Sequence, residues 1–175
     1  MRTYWLDLFT GKTWNEFLKN GATISGFREH REKVAEKIAP GDYFLCYLTG
    51  ISRFIGILEV KSKSFFDITE IWVDEVFPVR LKVELLYNLN PETAIPVLNL
   101  KEKLSIFNNL KFPSTWGTYF RGSPVRFRQD DGETITNMII EAFNNPVERP
   151  FDEKKLWKRP RKIKSKNFFL PIKTK

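Results

Sequence analysis

Asp42, Glu59 and Lys61 are residues whose types and spacing could support metal-dependent chemistry. Glu59 and Lys61 are two positions apart, so on a strand their side chains share one face, as a metal ligand and its charge partner would. Asp42 belongs to a Pro-Gly-Asp turn, where an aspartate has an ordinary structural role. A metal-dependent nuclease that uses these three residues is therefore an alternative, and it is not the leading interpretation.

The single histidine and the single cysteine exclude most other catalytic chemistry. His30 lies among charged residues of a predicted helix, which is typical of a solvated surface position. Cys46 cannot form a disulfide within the chain, and one Cys with one His cannot build a Cys/His zinc site. The sequence contains no Gly-rich phosphate-binding loop. We therefore expect a protein that is not an enzyme and that has no metal and no cofactor.

Aromatic residues next to arginines offer a different chemistry, the binding of an unstacked base. Phe27-Arg28 opens a predicted helix, Trp72 lies in a link between strands, and Tyr119 precedes Phe120-Arg121 in a Gly- and Pro-rich stretch. Flat side chains can sandwich a base while arginines hold phosphates or base edges. In so aromatic a chain, core packing explains most of these rings. For Trp72 the core and the pocket interpretations both remain open.

The elements that must position these residues follow each other in mixed order. Alternating or continuous apolar runs predict strands over residues 4–9, 43–48, 54–60 and 79–85, the middle two forming a hairpin. Helical patterns cover residues 14–20 with Thr13 as the cap, 28–38, 100–110, and 132–145 with Asp130 or Asp131 as the cap. Because strands and helices do not alternate regularly, we predict an α+β domain built on a strongly curved sheet or small barrel.

The net charge of +8 is divided unevenly along the chain. Residues 149–175 hold 11 basic and 2 acidic residues, whereas residues 1–148 hold 18 basic and 19 acidic residues. We therefore predict a near-neutral domain over 1–148 and a basic tail or linker over 149–175, which could contact phosphates without sequence preference or precede a further domain. No apolar run is long enough to predict a membrane span. The expected location is the cytoplasm.

Residues 3–145 resemble the EVE domains, members of the PUA-like superfamily that are related to YTH domains. The resemblance is carried by the order and spacing of short motifs, which are YWLDLF at the start, Trp14, Gly26-Phe27-Arg28-Glu29, Pro40-Gly41-Asp42 with Tyr47, Phe54-x-Gly56-x-x-x-Val60, Trp72, Phe77-Pro78-x-Arg80-x-Lys82-Val83 and Tyr119-Phe120-Arg121-Gly122-Ser123-Pro124.

The resemblance implies a small, curved, mixed β-barrel flanked by helices that receives a modified base without catalysis. It places Phe27 and Trp72 as walls of an aromatic pocket, with a phenylalanine where YTH domains carry a tryptophan. The pocket residues are predicted to be Phe27, Trp72 and Tyr119. The backbone or rim residues are predicted to be Lys12, Arg28, Arg31, Arg80, Arg121 and Arg126.

The expected partner is nucleic acid. DNA is favoured over RNA because related domains resemble the N-terminal targeting modules of McrB-type modification-dependent restriction systems. Under that interpretation the base is methylated and flipped out of the duplex, and further domains or an oligomeric restriction motor follow the tail. A reader of modified bases in RNA is the alternative of the same class.

Overall fold

The sheet contains one parallel pair of strands among residues 1–159. In the computed structural model, which describes residues 1–159, β1 (Tyr4–Phe9) runs parallel to β3 (Tyr43–Leu48). All other pairings are antiparallel, and the order is β2-β6-β4-β3-β1-β8, with β5 beside β6 and β7 beside β4. The remaining strands are β2 (Ile24–Phe27), β4 (Arg53–Val60), β5 (Phe65–Phe66), β6 (Val79–Asn88), β7 (Ile95–Pro96) and β8 (Val125–Arg126).

Two register shifts and one long strand curl this sheet into a half-barrel. The register between β3 and β4 shifts at Cys46/Tyr47, and that between β4 and β6 shifts at Ile57/Leu58. Such bulges bend a strand and increase its twist. Strand β6 pairs with β2 through its first residues and with β4 through its later ones, so it joins the two parts of the sheet. This architecture confirms the predicted α+β fold, a curved mixed sheet flanked by helices.

Among residues 1–159, two of the four α-helices are slightly longer than predicted, and the other two are single turns. The four helices are α1 (Gly11–Lys19), the single turn α2 (Glu32–Ala35), α3 (Gln129–Asn144) and the single turn α4 (Glu153–Leu156). Predicted helix 28–38 is reduced to a 3-10 turn, Glu29–Arg31, followed by α2, and predicted helix 100–110 is replaced by 3-10 turns at Val97–Leu100 and Ser105–Phe107. Within residues 1–159, none of the helices has the length and apolar character needed to cross a bilayer.

The N-terminal ends of α1 and α3 also differ from the prediction. The cap of α1 is Thr10, whose side chain accepts from the Thr13 backbone N–H while Thr13 Oγ1 accepts from the Thr10 N–H. Thr13 is therefore the third residue of the helix and not its cap. In α3, Asp131 lies in the first turn and accepts from Ser105 instead of capping the helix.

The half-barrel encloses the carboxyl group of Asp7 next to a continuous apolar core. Asp7 on β1 is 1% exposed and accepts a hydrogen bond of 2.5 Å from the Ser25 hydroxyl on β2. Across the parallel pair it lies opposite Cys46, which is also fully buried. Burial raises the pKa of Asp7 from 3.8 to about 8, although the Ser25 hydrogen bond opposes the shift. The carboxyl is therefore largely protonated at neutral pH.

The first residues of the predicted tail lie against the domain. Buried Arg53 donates from Nη1 to the carbonyls of Pro91 and Arg149, at 2.8 and 3.0 Å, and from Nη2 to the carbonyl of Pro150, at 2.7 Å. Farther along, α4 places buried Leu156 on α1. Arg149, Pro150 and Leu156 thus lie against the domain, whereas the part of the predicted tail from residue 160 onward lies outside the described residues.

Candidate nucleic-acid interface

A loop between β5 and β6, residues 67–78, holds one tryptophan outside the main core; we call it the Trp72 loop. Trp72 is 4% exposed, yet neither it nor Phe77 belongs to the continuous core cluster. The two rings meet edge to face with centroids 5.2 Å apart, and Trp72 Nε1 donates to the Thr13 carbonyl at 3.2 Å. A Cβ at Gly26 would come within 2.8 Å of Trp72 Cζ3. The indole therefore packs directly on the backbone of β2.

Two predicted rim cations, Lys12 and Arg28, attach the Trp72 loop to the domain. Lys12 Nζ lies 2.7 Å from Asp74 Oδ2. Arg28 donates to both carboxylate oxygens of Glu75, at 2.6 and 3.1 Å, and this hydrogen bonding raises the pKa of the guanidinium. All four side chains are between 41% and 57% exposed, so these pairs are weak and open to competing anions.

Arg80, predicted at the mouth of the pocket, is buried behind the loop. Its side chain is 2% exposed, and its guanidinium carbon lies 5.7 Å from the centre of the Trp72 ring. It donates to the carbonyls of Phe77 and Thr69, and its Nη1 lies 3.4 Å from Asp67 Oδ2. Because its donors are directed to the loop backbone, Arg80 supports the Trp72 loop from inside, which corrects the predicted rim position.

Phe27 does not face Trp72. Phe27 is 2% exposed, and its ring lies 5.5 Å from that of Phe44 in the core. Trp72 instead covers Gly26, and successive residues of a strand point to opposite faces. Strand β2 therefore separates the two rings. The two rings therefore do not form the predicted cage, because side chains alternate between the two faces of β2 and that of Phe27 points into the core.

Tyr119 packs among aromatic residues that are separate from those around Trp72 and Phe27. Its ring stacks on Phe127 with centroids 5.6 Å apart and lies 5.3 Å from Phe120. Its hydroxyl donates to the Arg126 carbonyl at 3.3 Å, and burial raises its pKa. Arg121 is exposed at the end of the 3-10 helix Pro113–Arg121. The three predicted pocket aromatics thus pack in three different places, and their role in base binding stays a prediction.

The predicted rim cations Arg31 and Arg126 line the same cleft, which lies between β1, α2 and β8. This cleft, which we call the basic cleft, has a volume of about 370 Å³. Its lining residues are Thr3, Trp5, Arg31, Val34, Lys37, Pro124, Val125 and Arg126. Arg31 Nη2 donates to the Pro124 carbonyl at 2.5 Å, whereas its Nε is buried without a partner among the described residues. Three cations and no carboxylate thus line this cleft within residues 1–159.

Neither Lys37 nor Phe77 was predicted to be a site residue. A signal for Lys37 was present, because Arg31, Val34 and Lys37 recur every three residues and therefore lie on one side of a helical turn. All three line the basic cleft. Phe77 belongs to the motif Phe77-Pro78-x-Arg80 and follows Trp72 by five residues, but neither fact shows that the two rings touch.

The residues of the alternative nuclease interpretation have structural partners. Asp42 accepts hydrogen bonds from the Thr3 and Ala39 N–H groups, both at 3.0 Å, and from Trp5 Nε1 at 3.1 Å. Lys61 lies between two carboxylates, 2.8 Å from Glu59 and 2.9 Å from Glu84. Within residues 1–159, no group of three or more His, Cys, Asp or Glu side chains is arranged to hold a metal ion.

Comparison with known proteins identifies the fold and not a sequence family. No protein-family model and no curated protein sequence matches the chain. Among solved structures, the Pho92 YTH domain in complex with m6A aligns with a TM-score of 0.60 and 18% identity, covering 84% of this chain and 88% of that one. The Mmi1 YTH domain complex with RNA aligns at 0.59 and 15%, covering 85% and 84%.

A bacterial protein has the same architecture. Atu2648 from Agrobacterium tumefaciens aligns with a TM-score of 0.55 and 16% identity over 85% of this chain and 99% of its own. At such low identities the alignments establish the fold. The chain therefore has the fold shared by YTH domains and Atu2648.

Proposed function

We propose that this domain is a non-catalytic module that binds a nucleic-acid strand and accepts one modified base against Trp72. The observation that carries the proposal is an aromatic pair, buried Trp72 and half-buried Phe77, which lies outside the core in a surface loop and is flanked by Lys12 and Arg28. A flat ring beside cations is the arrangement with which proteins hold an unstacked base and its phosphates.

In the proposed mechanism the Trp72 loop shifts to admit the base. Trp72 packs on Gly26, so a base reaches the indole face after the loop moves away from β2. The ion pairs that hold the loop, Lys12 with Asp74 and Arg28 with Glu75, are exposed, and each contributes at most about 1 kcal/mol. Phosphates of the bound strand replace the two carboxylates on the same cations. Binding of the nucleic-acid strand thus opens the Trp72 loop and occupies Lys12 and Arg28 in one step.

Base stacking and burial of the added methyl group determine the expected changes in affinity. Stacking of one base on an aromatic ring contributes about 1–3 kcal/mol, which corresponds to roughly 5- to 150-fold in affinity. Burial of one added methyl group contributes about 0.8 kcal/mol, which corresponds to roughly fourfold. The proposed reader therefore binds through stacking and the backbone, and it discriminates the modification modestly.

RNA is the first ligand to test, because two similar structures are of YTH domains in complex with RNA and with m6A. DNA is the second candidate ligand. Binding to DNA would serve to target a modification-dependent restriction system. A duplex ligand has the added cost of base flipping, a few kcal/mol, so single strands of both kinds are the informative probes.

The test is fluorescence anisotropy with single-stranded RNA and DNA of one sequence, each with adenine or m6A at one position. We expect binding to at least one strand type, a severalfold preference for the modified base, and a loss of roughly 5- to 150-fold for Trp72→Ala. Trp157→Ala is the matched control, because Trp157 is 53% exposed and lies outside the Trp72 loop. Thermal melts of each variant show whether the fold is retained.

Two results would refute the proposal. One is the lack of binding to every probe, including oligonucleotides with methylated and hydroxymethylated cytosine. The other is a folded Trp72→Ala variant that binds every probe as tightly as the parent protein.

A further inference from the structure

We infer that the basic cleft is a phosphate-binding subsite for the nucleic-acid strand, separate from the base site at Trp72. The inference rests on the proposed function and names the part of the ligand that contacts Arg31, Lys37 and Arg126. A cleft of about 370 Å³ is within the size range of small-molecule sites, so it has room for a nucleotide phosphate with its sugar.

The charge state of the cleft distinguishes it from the other cationic positions. Lys12 and Arg28 are paired with loop carboxylates. By contrast, Arg31, Lys37 and Arg126 form no ion pair with any residue from 1 to 159. Three uncompensated cations that line one cleft repel each other, and an anion placed between them relieves that repulsion.

The neighbouring carboxylate does not neutralise these cations. Asp42 lies behind the cleft wall, where its oxygens accept from the Thr3 and Ala39 N–H groups and from the Trp5 indole. Asp42 is 6% exposed and therefore presents almost no surface to the cleft. Its hydrogen bonds instead fix Thr3 and Trp5, two of the lining residues. The cleft thus has a positioned wall and a net positive lining.

Arg31 carries an unused donor. Its Nη2 is bonded to the Pro124 carbonyl, but its Nε–H is buried without an acceptor among residues 1–159. Buried N–H groups are normally paired, so an orphan donor marks a place where a partner is expected. An anion in the cleft that reaches the guanidinium would supply the missing acceptor for Nε.

The 3-10 turn Glu29–Arg31 connects the basic cleft with the Trp72 loop. Arg28, immediately before the turn, holds Glu75 of the Trp72 loop, and Arg31 at its end lines the cleft. Three residues of a 3-10 turn rise about 6 Å, so the two arginines are close enough for one strand to contact both. In the proposed binding mode, the base at Trp72 and the phosphate in the cleft belong to one strand.

The experiment measures oligonucleotide affinity as a function of salt for Lys37→Ala and Arg126→Ala, with Lys33→Ala as the matched control. Lys37, Arg126 and Lys33 are all exposed, but Lys33 does not line the cleft. For each cleft variant we expect affinity about two- to fivefold weaker for modified and unmodified strands alike. The slope of log affinity against log salt should fall by about 0.7 for each lost phosphate contact, whereas Lys33→Ala should change neither quantity.

These outcomes are distinguishable from those of the base site. If Trp72→Ala has no effect on affinity while Lys37→Ala lowers both affinity and slope, the base site fails and the phosphate subsite stands. If Lys37→Ala and Arg126→Ala retain the parent affinity and slope, the subsite is refuted whatever Trp72 does.

A titration with inorganic phosphate identifies the source of the anion. We expect millimolar phosphate to shift the Trp5 indole N–H resonance, and the oligonucleotide to produce that shift at far lower concentration. A shift from inorganic phosphate together with no shift from the oligonucleotide would also overturn the inference, because the cleft would then be a site for the free ion.

Discussion

Replacement of Asp7 by asparagine should stabilise the domain at neutral and alkaline pH. The Asp7 carboxyl is 1% exposed within the half-barrel, and its hydrogen bond from Ser25 is the contact that favours its charged form. Asparagine has nearly the same shape, its side-chain oxygen can accept from Ser25, and it cannot ionise. The substitution therefore removes the free-energy cost of keeping a buried carboxyl protonated at a pH where the unfolded chain ionises, and it preserves the packing.

The size of the effect follows from the pKa of Asp7, which burial raises from 3.8 to about 8. Between these two values the folded protein keeps a proton that the unfolded chain has released. The free energy of unfolding therefore falls as pH rises, by up to about 1.4 kcal/mol per pH unit. The contribution of protonated Asp7 to the free energy of unfolding is complete below pH 4 and is lost as pH approaches 8. Over about four units the loss is on the order of 5 kcal/mol, an upper bound because buried sites relax.

The assay is urea unfolding of both proteins at one-unit steps from pH 4 to pH 8. We expect similar free energies of unfolding at pH 4 and a gap that widens in favour of Asp7→Asn toward pH 8, with equal m-values. Other groups titrate identically in the two proteins, so they cancel in the difference. A constant difference across this range would refute the reasoning, because it would mean that Asp7 ionises in the folded protein at its ordinary pKa.

Two further predictions concern the Trp72 loop. Glu75→Gln should tighten oligonucleotide binding roughly two- to tenfold at low salt, because it frees Arg28 for phosphates, whereas Glu70→Gln, which removes the same charge from the same loop, should have a smaller effect. Equal effects of the two variants in anisotropy titrations would contradict this role of Arg28. Gly26→Ala should cost about 1–3 kcal/mol in urea unfolding, because its Cβ would come 2.8 Å from the Trp72 indole, whereas Gly117→Ala meets no atom within 4 Å. Equal unfolding midpoints for these two alanine variants would argue against close packing of the indole on β2.

The elements that sequence predicted best are those with strong periodicity. The apolar run of β1, the hairpin of β3 and β4, and the alternation from Val79 onward are all present as strands. The helix predicted over residues 28–38 is instead a 3-10 turn followed by the single turn α2. Short polar segments obtain their conformation from tertiary contacts, which local propensity does not contain.

The sequence indicated aromatic and basic residues for the candidate site, but it did not indicate how the fold arranges them. Phe27 belongs to the core because Gly26, its neighbour on β2, receives Trp72 on the other face. Lys12 and Arg28 are paired with residues 62 and 47 positions away in the sequence. No local pattern reveals a partner at that separation. Which cations are neutralised and which remain free therefore becomes visible only in the folded chain.

Arg53 has a consequence for the evolution and engineering of this domain. Its guanidinium binds backbone carbonyls of Arg149 and Pro150, and any amino acid supplies a carbonyl at those positions. The contact therefore tolerates substitution there but does not tolerate shortening, because a chain cut before residue 149 would leave a buried cation with its Nη2 donor unpaired. The side chains at positions 149 and 150 can therefore diverge while the path of the backbone there stays constrained.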